Sequence, residues 1–303
     1  MLKFGIIGCD TSHVEAFAEL LGDPLNPYHT PGAKITVAFP GGSPDFDLSI
    51  SRVEGYTNLL REQYGVQIVS SPEEVAELAD VILIESVDGR VHLEQFRRIA
   101  PFGKPIFVDK PFTVNSLEAR EISALAREHK VLFMSCSPLR YAEGFEQALA
   151  HIKSVDSGKV IGADCYGPME LEATQPGLFW YGIHAAEMLY AAMGTGCKEV
   201  SAYTNEDHEF VQGVWADGRI GTIRGNRKGN NKFGAVIHGE KQTVFADVYA
   251  YEKPYYAGLM EGIMEMVRSG VAPIAPEETE EIIRFLEAAN ESRESGLPVA
   301  ISG

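Results

Sequence analysis

Residues 5–13 read GIIGCDTSH and follow the short run Leu2-Lys3-Phe4. An apolar pattern of helical period comes next, so the stretch predicts a strand, a glycine turn and a helix. A turn of this kind that holds a dinucleotide pyrophosphate reads G-x-G-x-x-G or G-x-G-x-x-A. Counted from Gly8, the second glycine is Asp10 and the third is His13. The stretch therefore predicts a dinucleotide-binding type of fold, and it leaves open whether this turn can bind a pyrophosphate.

Asp10 decides whether this turn can hold a phosphate. A carboxylate about 4 Å from a phosphate charge costs about 4 kcal/mol at an effective dielectric of about 20. A helix N-terminus favours an anion by only about 0.3–1 kcal/mol. Asp10 can also cap the helix by accepting from the amides of Ser12 or His13. Two alternatives stay open: Asp10 turns away and Thr11, Ser12 and His13 supply donors, or the dinucleotide is bound weakly, displaced or absent.

Length, charge and cysteine spacing exclude several classes of protein. The chain has 303 residues and a formal net charge of −17 at pH 7. This length predicts about two domains, and the negative charge argues against nucleic acid, because phosphate binding needs clustered Lys and Arg. No cysteine pair has C-x-x-C spacing, and no run approaches the ~18 apolar residues of a membrane span. We expect a cytoplasmic protein without nucleic-acid or membrane partners.

The first half of the chain alternates short apolar strands with helical patterns. The expected strands are Leu2–Ile7, Ile35–Phe39, Val81–Glu85, Ile106–Val108 and Val131–Met134. A capped helix start is predicted at Ser71-Pro72-Glu73-Glu74. Apolar strands separated by helices favour a parallel sheet covered on both faces. The fold class is therefore α/β, with a Rossmann-type doubly wound parallel sheet in residues 1–136.

Residues 137–303 predict a C-terminal α+β domain with an open, mainly antiparallel sheet, assigned to substrate binding and oligomerisation. A helix is expected near Tyr141–Val155. Asp217-Gly218 predicts a hairpin turn of type I′, and Gly239-Glu240 predicts one of type II′. The chain is expected to finish with helices at Pro254–Arg268 and Glu277–Glu294.

Three stretches of the sequence contain candidate catalytic or binding residues. FVDKPF at 107–112 places Lys110 after a predicted strand, where ligands of such sheets lie; a surface loop with an Asp109–Lys110 ion pair is the equal alternative. GLFWYGIHAAE at 177–187 places His184 near the start of a buried helix, where a core histidine bonded to a carbonyl is the alternative. SVDGRVH at 86–92 places His92 at a helix start, where it could also be a plain surface residue.

Taken together, these stretches resemble the Gfo/Idh/MocA family, which includes glucose–fructose oxidoreductases and inositol dehydrogenases. The resemblance depends on the order of the glycine turn at residue 8, the strand before His92, DKP at 109–111, GxHxxE at 182–187 and the run from 270 to 299. It implies an NAD- or NADP-dependent oxidoreductase of carbohydrate metabolism. The reaction would transfer a hydride between nicotinamide and a secondary alcohol or carbonyl of a sugar, cyclitol or related polyol. It also implies a homo-oligomer, dimer or tetramer, that forms through the C-terminal sheet.

The resemblance implies roles for individual residues. Lys110 would polarise the reacting oxygen, Asp109 would position Lys110 and the nicotinamide, and His184 would donate or accept the proton. Trp180 stands where the family has an aspartate, and Glu187 stands for a second acid and could orient His184. The predicted substrate pocket consists of Trp180, Tyr181, Lys110 and His184. The predicted cofactor-binding residues are Gly8, Asp10, Thr11, Ser12, His13, Gly41, Gly42, Ser43, Ser86, His92, Asp109 and Lys110. No metal site is predicted.

The segment after Phe39 leaves the choice between NAD and NADP open. It reads Pro40-Gly41-Gly42-Ser43-Pro44-Asp45, with no acid at the strand's end for a ribose hydroxyl and no adjacent arginine for a 2′-phosphate. Other functions also remain open. One is a family member that binds nucleotide or sugar without turnover, as a sensor or partner subunit. Another is a lyase or glycosidase that uses transient oxidation by NAD.

Overall fold

The computed structural model describes residues 1–154 and 157–301. The chain divides into two compact units. Unit 1 consists of residues 1–113, 117–136 and 256–276, and unit 2 of residues 114–116, 137–255 and 277–303. The predicted boundary between residues 136 and 137 differs from this division, because residues 256–276 belong to unit 1. The ring of Tyr256 lies 4.9 Å from that of His13 and 6.0 Å from that of Phe17 (centroid distances), which ties this late segment to the first helix.

The helices and strands alternate in the first half and segregate in the second. The helices are α1 His13–Gly22, α2 Asp47–Tyr64, α3 Pro72–Leu78, α4 His92–Ile99, α5 Ser116–His129, α6 Glu143–Ile152, α7 Gly182–Met193, α8 Tyr255–Ser269 and α9 Pro276–Ser295. The strands are β1 Leu2–Ile7, β2 Ala33–Phe39, β3 Gln67–Ile68, β4 Val81–Ile84, β5 Ile106–Val108, β6 Phe133–Ser135, β7 Val160–Pro168, β8 Cys197–Thr204, β9 His208–Trp215, β10 Ile220–Asn226, β11 Gly234–Gly239, β12 Thr243–Asp247 and β13 Val299–Ala300.

The sheet of unit 1 has the strand order β3-β2-β1-β4-β5-β6, and its neighbouring strands are parallel. This is the order of the doubly wound dinucleotide-binding fold, with the switch point beside β1. Every residue of β4 and β5 is buried, as expected for strands covered by helices on both faces. The predicted Rossmann-type sheet is confirmed. The residues that follow β1, β4 and β5 lie at the carboxyl edge of this sheet.

The sheet of unit 2 has the order β12-β11-β7-β10-β9-β8-β13 and is mainly antiparallel, with β7 and β10 parallel to each other. Both predicted hairpins form, but their predicted turn types are wrong. A type I′ turn needs positive φ at both central residues, and Asp217 does not have it, although Gly218 does (φ 86°). A type II′ turn needs positive φ at the first central residue, and Gly239 lacks it.

Local sequence signals set several helix ends. The hydroxyl of Ser71 accepts a hydrogen bond from the amide of Glu74 at 3.3 Å, so Ser71 caps α3 as predicted. The helix expected near Tyr141–Val155 is α6, which is shorter; Val155 lies outside the described residues. Within residues 1–154 and 157–301, every helix is too short or too polar to cross a bilayer.

Candidate functional site

The glycine turn after β1 is closed by the side chain of Asp10. Gly8 has φ 95°, and a Cβ there would lie 2.4 Å from Ser86 Oγ, so only glycine fits. Asp10 is fully buried. Ser49 Oγ donates to its Oδ2 at 2.5 Å, and the amide of Val87 donates to its Oδ1 at 3.0 Å. The carboxylate therefore joins three segments of unit 1 that are distant in the sequence.

These contacts correct the interpretation of Asp10 as a helix cap. The residue before α1 is Ser12, whose side chain makes no capping bond, and the amide of His13 donates to Thr11 Oγ1 at 3.4 Å. Burial raises the pKa of Asp10, and the hydrogen bonds from Ser49 and Val87 oppose that shift. The carboxylate of Asp10 therefore binds Ser49 and Val87 and not the amides of Ser12 and His13, and the supply of donors by Thr11, Ser12 and His13 stays a prediction.

The glycine-rich segment after β2 supplies one buried hydroxyl that has no partner. Gly41 and Gly42 have φ 66° and 103°. The amide of Ser43 donates to Ser49 Oγ at 2.9 Å, so this amide belongs to the same network as Asp10. Ser43 Oγ is buried, and no described atom hydrogen-bonds to it. An orphaned hydroxyl beside the switch point, near the N-terminus of a helix that follows β1, fits a nucleotide ligand whose ribose or phosphate oxygens complete the bonding.

His92 and Ser86 stabilise the loop after β4. His92 is fully buried. Its Nε2 lies 2.7 Å from the carbonyl oxygen of Ser86, and its Nδ1 lies 3.0 Å from that of Phe112. Gln95 donates to Ser86 Oγ at 2.7 Å. The surface alternative for His92 is therefore wrong. Its ring nitrogens, predicted to serve a cofactor, contact the backbone.

A histidine and two acids meet at the carboxyl edge of the unit 1 sheet. His13 begins α1, Glu85 follows β4 and Asp109 follows β5, and these elements stem from adjacent strands. His13 Nδ1 lies 2.9 Å from Asp109 Oδ2 and 3.6 Å from Glu85 Oε2. We call these three residues the edge cluster. Sequence analysis missed Glu85, although an acid directly after the apolar run Val81–Ile84 marks that edge.

Burial and mutual charge shift the pKa values of the edge cluster. Burial lowers the pKa of His13, but the charge of Asp109 and contacts with both acids raise it to about 9. Burial raises the pKa of Glu85 to about 8, against the opposing effect of His13. Burial also acts to raise the pKa of Asp109, but the charge of His13 outweighs it and holds that pKa below its usual value.

Lys110 follows Asp109 at the end of β5. Both residues are buried, so the alternative of a surface loop with a solvated ion pair is wrong. The ammonium of Lys110 acts electrostatically on all members of the edge cluster. A lysine at the carboxyl end of a Rossmann strand stands where ligands of such sheets bind.

In unit 2, His184 is held by a serine hydroxyl and flanked by aromatic rings. Ser137 Oγ lies 2.7 Å from His184 Nδ1. The ring centroids of Tyr181 and Phe233 lie 5.8 and 5.3 Å from that of His184, both in edge contacts. His184 is only half-buried, so it is not a core histidine, and the partner of its Nδ1 is a side chain. Sequence analysis missed Ser137 and Phe233, which are 47 and 49 residues away along the chain.

Glu187 does not contact His184 in the predicted way. It is buried and forms an ion pair with Arg140, which also binds Glu278 at 2.6 Å. Burial raises the pKa of Glu187, and the charge of Arg140 opposes this shift. The hydroxyl of Ser137, and not the carboxylate of Glu187, therefore contacts Nδ1 of His184. Trp180 is mostly buried, with its ring 6.1 Å from that of Tyr181.

The strand order and the edge residues of unit 1 define the class of protein, an NAD-binding Rossmann fold. Residues 45–136 match the model of the Gfo/Idh/MocA oxidoreductase family, described as an oxidoreductase family with an NAD-binding Rossmann fold. This match confirms the predicted resemblance for this segment. The cofactor class is NAD or NADP.

Comparisons with known proteins agree with this assignment. A 184-residue match to an uncharacterized oxidoreductase of Streptococcus pneumoniae serotype 4 (strain ATCC BAA-334 / TIGR4) is 25% identical and covers 59% of this chain. That match spans 44% of the curated relative. Myo-inositol 2-dehydrogenase from Lactobacillus plantarum superposes with TM-score 0.80 at 17% identity, over 99% of each chain. GenD2 from gentamicin A biosynthesis, solved in complex with NAD, superposes with TM-score 0.79 at 18% identity, over 100% of this chain and 97% of its own. At such identities the two structures establish the fold.

Proposed function

We propose that the protein transfers a hydride between the nicotinamide of NAD or NADP and a secondary alcohol or carbonyl of a sugar, cyclitol or related polyol. The observation that carries this proposal is the buried Asp109–Lys110 pair directly after β5 of a Rossmann sheet. Ligands of such sheets bind beyond the carboxyl ends of the strands. The similarity to an inositol dehydrogenase supports a cyclitol or sugar as the substrate class.

The cofactor accepts or supplies the hydride, and the chain's own residues bind, orient and move protons. Lys110 donates a hydrogen bond to the reacting oxygen and stabilises the negative charge that develops there, which is a large term in a water-poor site. Asp109 fixes the lysine by its charge and by its place in the chain. Gly8 and the start of α1 would receive the pyrophosphate, and Ser43 Oγ would bind a ribose or phosphate oxygen.

His184 takes up or returns the proton of the substrate hydroxyl. A positioned general base of this kind contributes about 10²–10⁴-fold to a rate. Ser137 holds one ring nitrogen, so the imidazole keeps one orientation. Tyr181 and Trp180 supply the apolar surface on which the C–H face of a sugar or cyclitol ring packs. Because an indole cannot ionise, the family's acid has no counterpart at Trp180, and His184 carries the proton transfer.

Binding and turnover measured together test this function. The purified protein is titrated with NADH and NADPH by calorimetry, and oxidation of a panel of inositols, aldoses and polyols is followed by absorbance of the reduced cofactor. We expect cofactor binding and turnover of at least one substrate. Lys110→Met should abolish turnover and retain cofactor binding, whereas Lys104→Met, a matched loss of a lysine before β5, should leave both unchanged. Failure to bind either cofactor at millimolar concentration would contradict the proposal.

Trp180 favours a second candidate, a family member that binds its ligands without redox turnover. An indole replaces the carboxylate that the resemblance places beside the catalytic histidine. This candidate predicts tight cofactor binding with no turnover across the whole panel. A lyase or glycosidase with transient oxidation would instead consume substrate without net formation of NADH.

We also propose a homo-oligomer that forms through the outer face of the unit 2 sheet. Large apolar side chains are exposed there on three strands of the sheet: Tyr203 of β8 is 74% exposed, Phe245 of β12 59% and Ile220 of β10 49%. Tyr203 of β8 lies opposite Phe210 of β9, which is also exposed. A row of exposed aromatic and aliphatic side chains across a sheet is typical of a subunit interface.

A further inference from the structure

The edge cluster has the composition of a metal site. One imidazole nitrogen and the oxygens of two carboxylates lie within 4.8 Å of one another, and all three residues are buried. They come from three different segments of unit 1, at the start of α1 and after β4 and β5. Adjacent parallel strands hold those segments, so the three donor groups are fixed by the sheet. We infer that His13, Glu85 and Asp109 bind a divalent first-row transition metal ion.

The distances between the donor atoms match those around an ion. Zinc and similar ions lie about 2.0–2.2 Å from nitrogen and oxygen ligands. Two ligand atoms at that range are about 3.0 Å apart at a right angle and about 3.4 Å apart at the tetrahedral angle. His13 Nδ1 lies 2.9 Å from Asp109 Oδ2 and 3.6 Å from Glu85 Oε2. An ion can therefore be received without rearrangement of the sheet.

The polar atoms of the edge cluster can form further hydrogen bonds or metal–ligand bonds. Both carboxylate oxygens of Glu85, both of Asp109 and the Nδ1 of His13 are buried, and none of them makes a well-aligned hydrogen bond within the described residues. Glu85 and Asp109 are fully buried. A buried carboxylate normally has hydrogen-bond donors or a metal around it. An ion among these atoms would satisfy an oxygen of each acid and the nitrogen together.

The donor set selects the class of ion. Imidazole nitrogen suits zinc, copper, iron and nickel, and zinc also binds carboxylate oxygen. Magnesium and calcium prefer sites made of oxygen ligands alone. With three protein ligands the coordination sphere keeps open positions, as catalytic zinc sites do. Lys110 is the other charged group that acts on the cluster, and its charge weakens the binding of any cation without removing a ligand.

The test measures metal bound per chain on the full-length protein. The protein is stripped with a chelator, its folding is checked by circular dichroism, and it is incubated with Zn²⁺, Co²⁺, Mg²⁺ or Ca²⁺ and desalted. We expect about one equivalent of Zn²⁺ or Co²⁺ and none of Mg²⁺ or Ca²⁺. Bound Co²⁺ should also show visible absorption bands of nitrogen and oxygen coordination. This readout does not depend on hydride transfer, so it stands or fails separately from the proposed function.

Matched variants identify the ligands. E85Q/D109N removes two buried charges and should lower the bound Zn²⁺ at least 10-fold. E54Q/E77Q removes two exposed acids, changes the net charge equally and should keep the ion. If stripped, folded wild-type protein binds no Zn²⁺ or Co²⁺, the edge cluster is an ion pair only and the inference is overturned. Equal retention of metal by wild type and E85Q/D109N would overturn it as well, since the ion would then lie elsewhere.

Discussion

The hydroxyl of Ser137 lies 2.7 Å from Nδ1 of His184 and also accepts a hydrogen bond from the amide of Leu139 at 3.2 Å. A hydroxyl oxygen has two lone pairs, so it can accept from this amide and from Nδ1–H of His184 at the same time. The neutral imidazole then carries its proton on Nδ1 and leaves Nε2 unprotonated, as the proposed uptake of the substrate proton requires. A ring held in this tautomer and orientation is prepared to exchange a proton through one nitrogen.

Ser137→Ala should lower kcat of the proposed reaction about 5–10-fold, which corresponds to the loss of a hydrogen bond of about 1 kcal/mol. The affinity for the cofactor should stay unchanged, and the pH dependence of kcat should shift because the imidazole loses its partner. Steady-state kinetics across pH measure both effects. Ser137→Thr keeps a hydroxyl and should restore most of the rate. A Ser137→Ala enzyme with wild-type kcat and pH profile would show that the hydroxyl does not position His184.

Asp10→Ala should lower the free energy of unfolding of unit 1 by about 2–4 kcal/mol, because two donors to a buried carboxylate lose their acceptor. Urea denaturation followed by circular dichroism measures the change. Ser49→Ala keeps the bond from Val87 but removes both the bond to Oδ2 and the acceptor of the Ser43 amide, so it should cost a similar amount. If Asp10→Ala were as stable as wild type, the contacts of Asp10 with Ser49 and Val87 would not stabilise the turn.

Glu209→Gln should destabilise unit 2 by about 3–5 kcal/mol, because it breaks a buried ion-pair network on one side. Glu209 is almost fully buried, and its Oε1 lies 2.9 Å from Arg227 Nη1 and 2.8 Å from Arg293 Nη2. Without the carboxylate both guanidinium groups lose the charge of Glu209, although Arg227 keeps its bonds to backbone carbonyl oxygens and Arg293 its bond to Asn290. Glu206→Gln makes the same chemical change at an exposed position and should alter stability by less than about 0.5 kcal/mol. Equal effects of the two variants would contradict the prediction.

The cysteine thiols should resist alkylation in the native protein. Cys9, Cys136, Cys165 and Cys197 are buried thiols that form no disulfide. Burial raises the pKa of Cys9 to about 12 and that of Cys197 to about 11, and it also raises the pKa of Cys165. A thiol with a raised pKa is protonated near pH 8, and the thiolate is the reactive form. Intact-mass analysis after iodoacetamide should show no adduct on native protein and full labelling in guanidinium. Rapid labelling of native protein would refute this expectation.

The double variant Tyr203→Asp/Phe245→Asp should convert the proposed oligomer to monomers, because it places charges on the exposed face of the unit 2 sheet. Sedimentation velocity at several protein concentrations measures the assembly. Leu25 is 90% exposed in unit 1, and Leu25→Asp should leave the assembly intact. A wild-type protein that sediments as a monomer would refute the proposed interface.

The sequence predicts the architecture well because the apolar pattern of each strand is local. The apolar runs that predict β1, β4 and β5 can each be recognised from their own residues. The glycine at residue 8 likewise marks the turn after β1. The candidate site is less predictable because its contacts are distant in the sequence. Asp10 binds Ser49 and Val87, which are 39 and 77 residues away. The local pattern offered a helix cap for Asp10 and a ring-orienting role for Glu187, whereas the folded chain provides other partners for both acids.

The contacts of Asp10 also bear on any attempt to redesign this turn. Substituting glycine at residue 10 would bring the stretch one residue closer to the consensus of dinucleotide-binding loops, with His13 still in place of the last glycine. It would also remove the polar cross-link that holds the start of α2 and the loop after β4 against the turn. A redesigned turn with glycine at residue 10 would therefore need another acceptor for the hydroxyl of Ser49 and the amide of Val87.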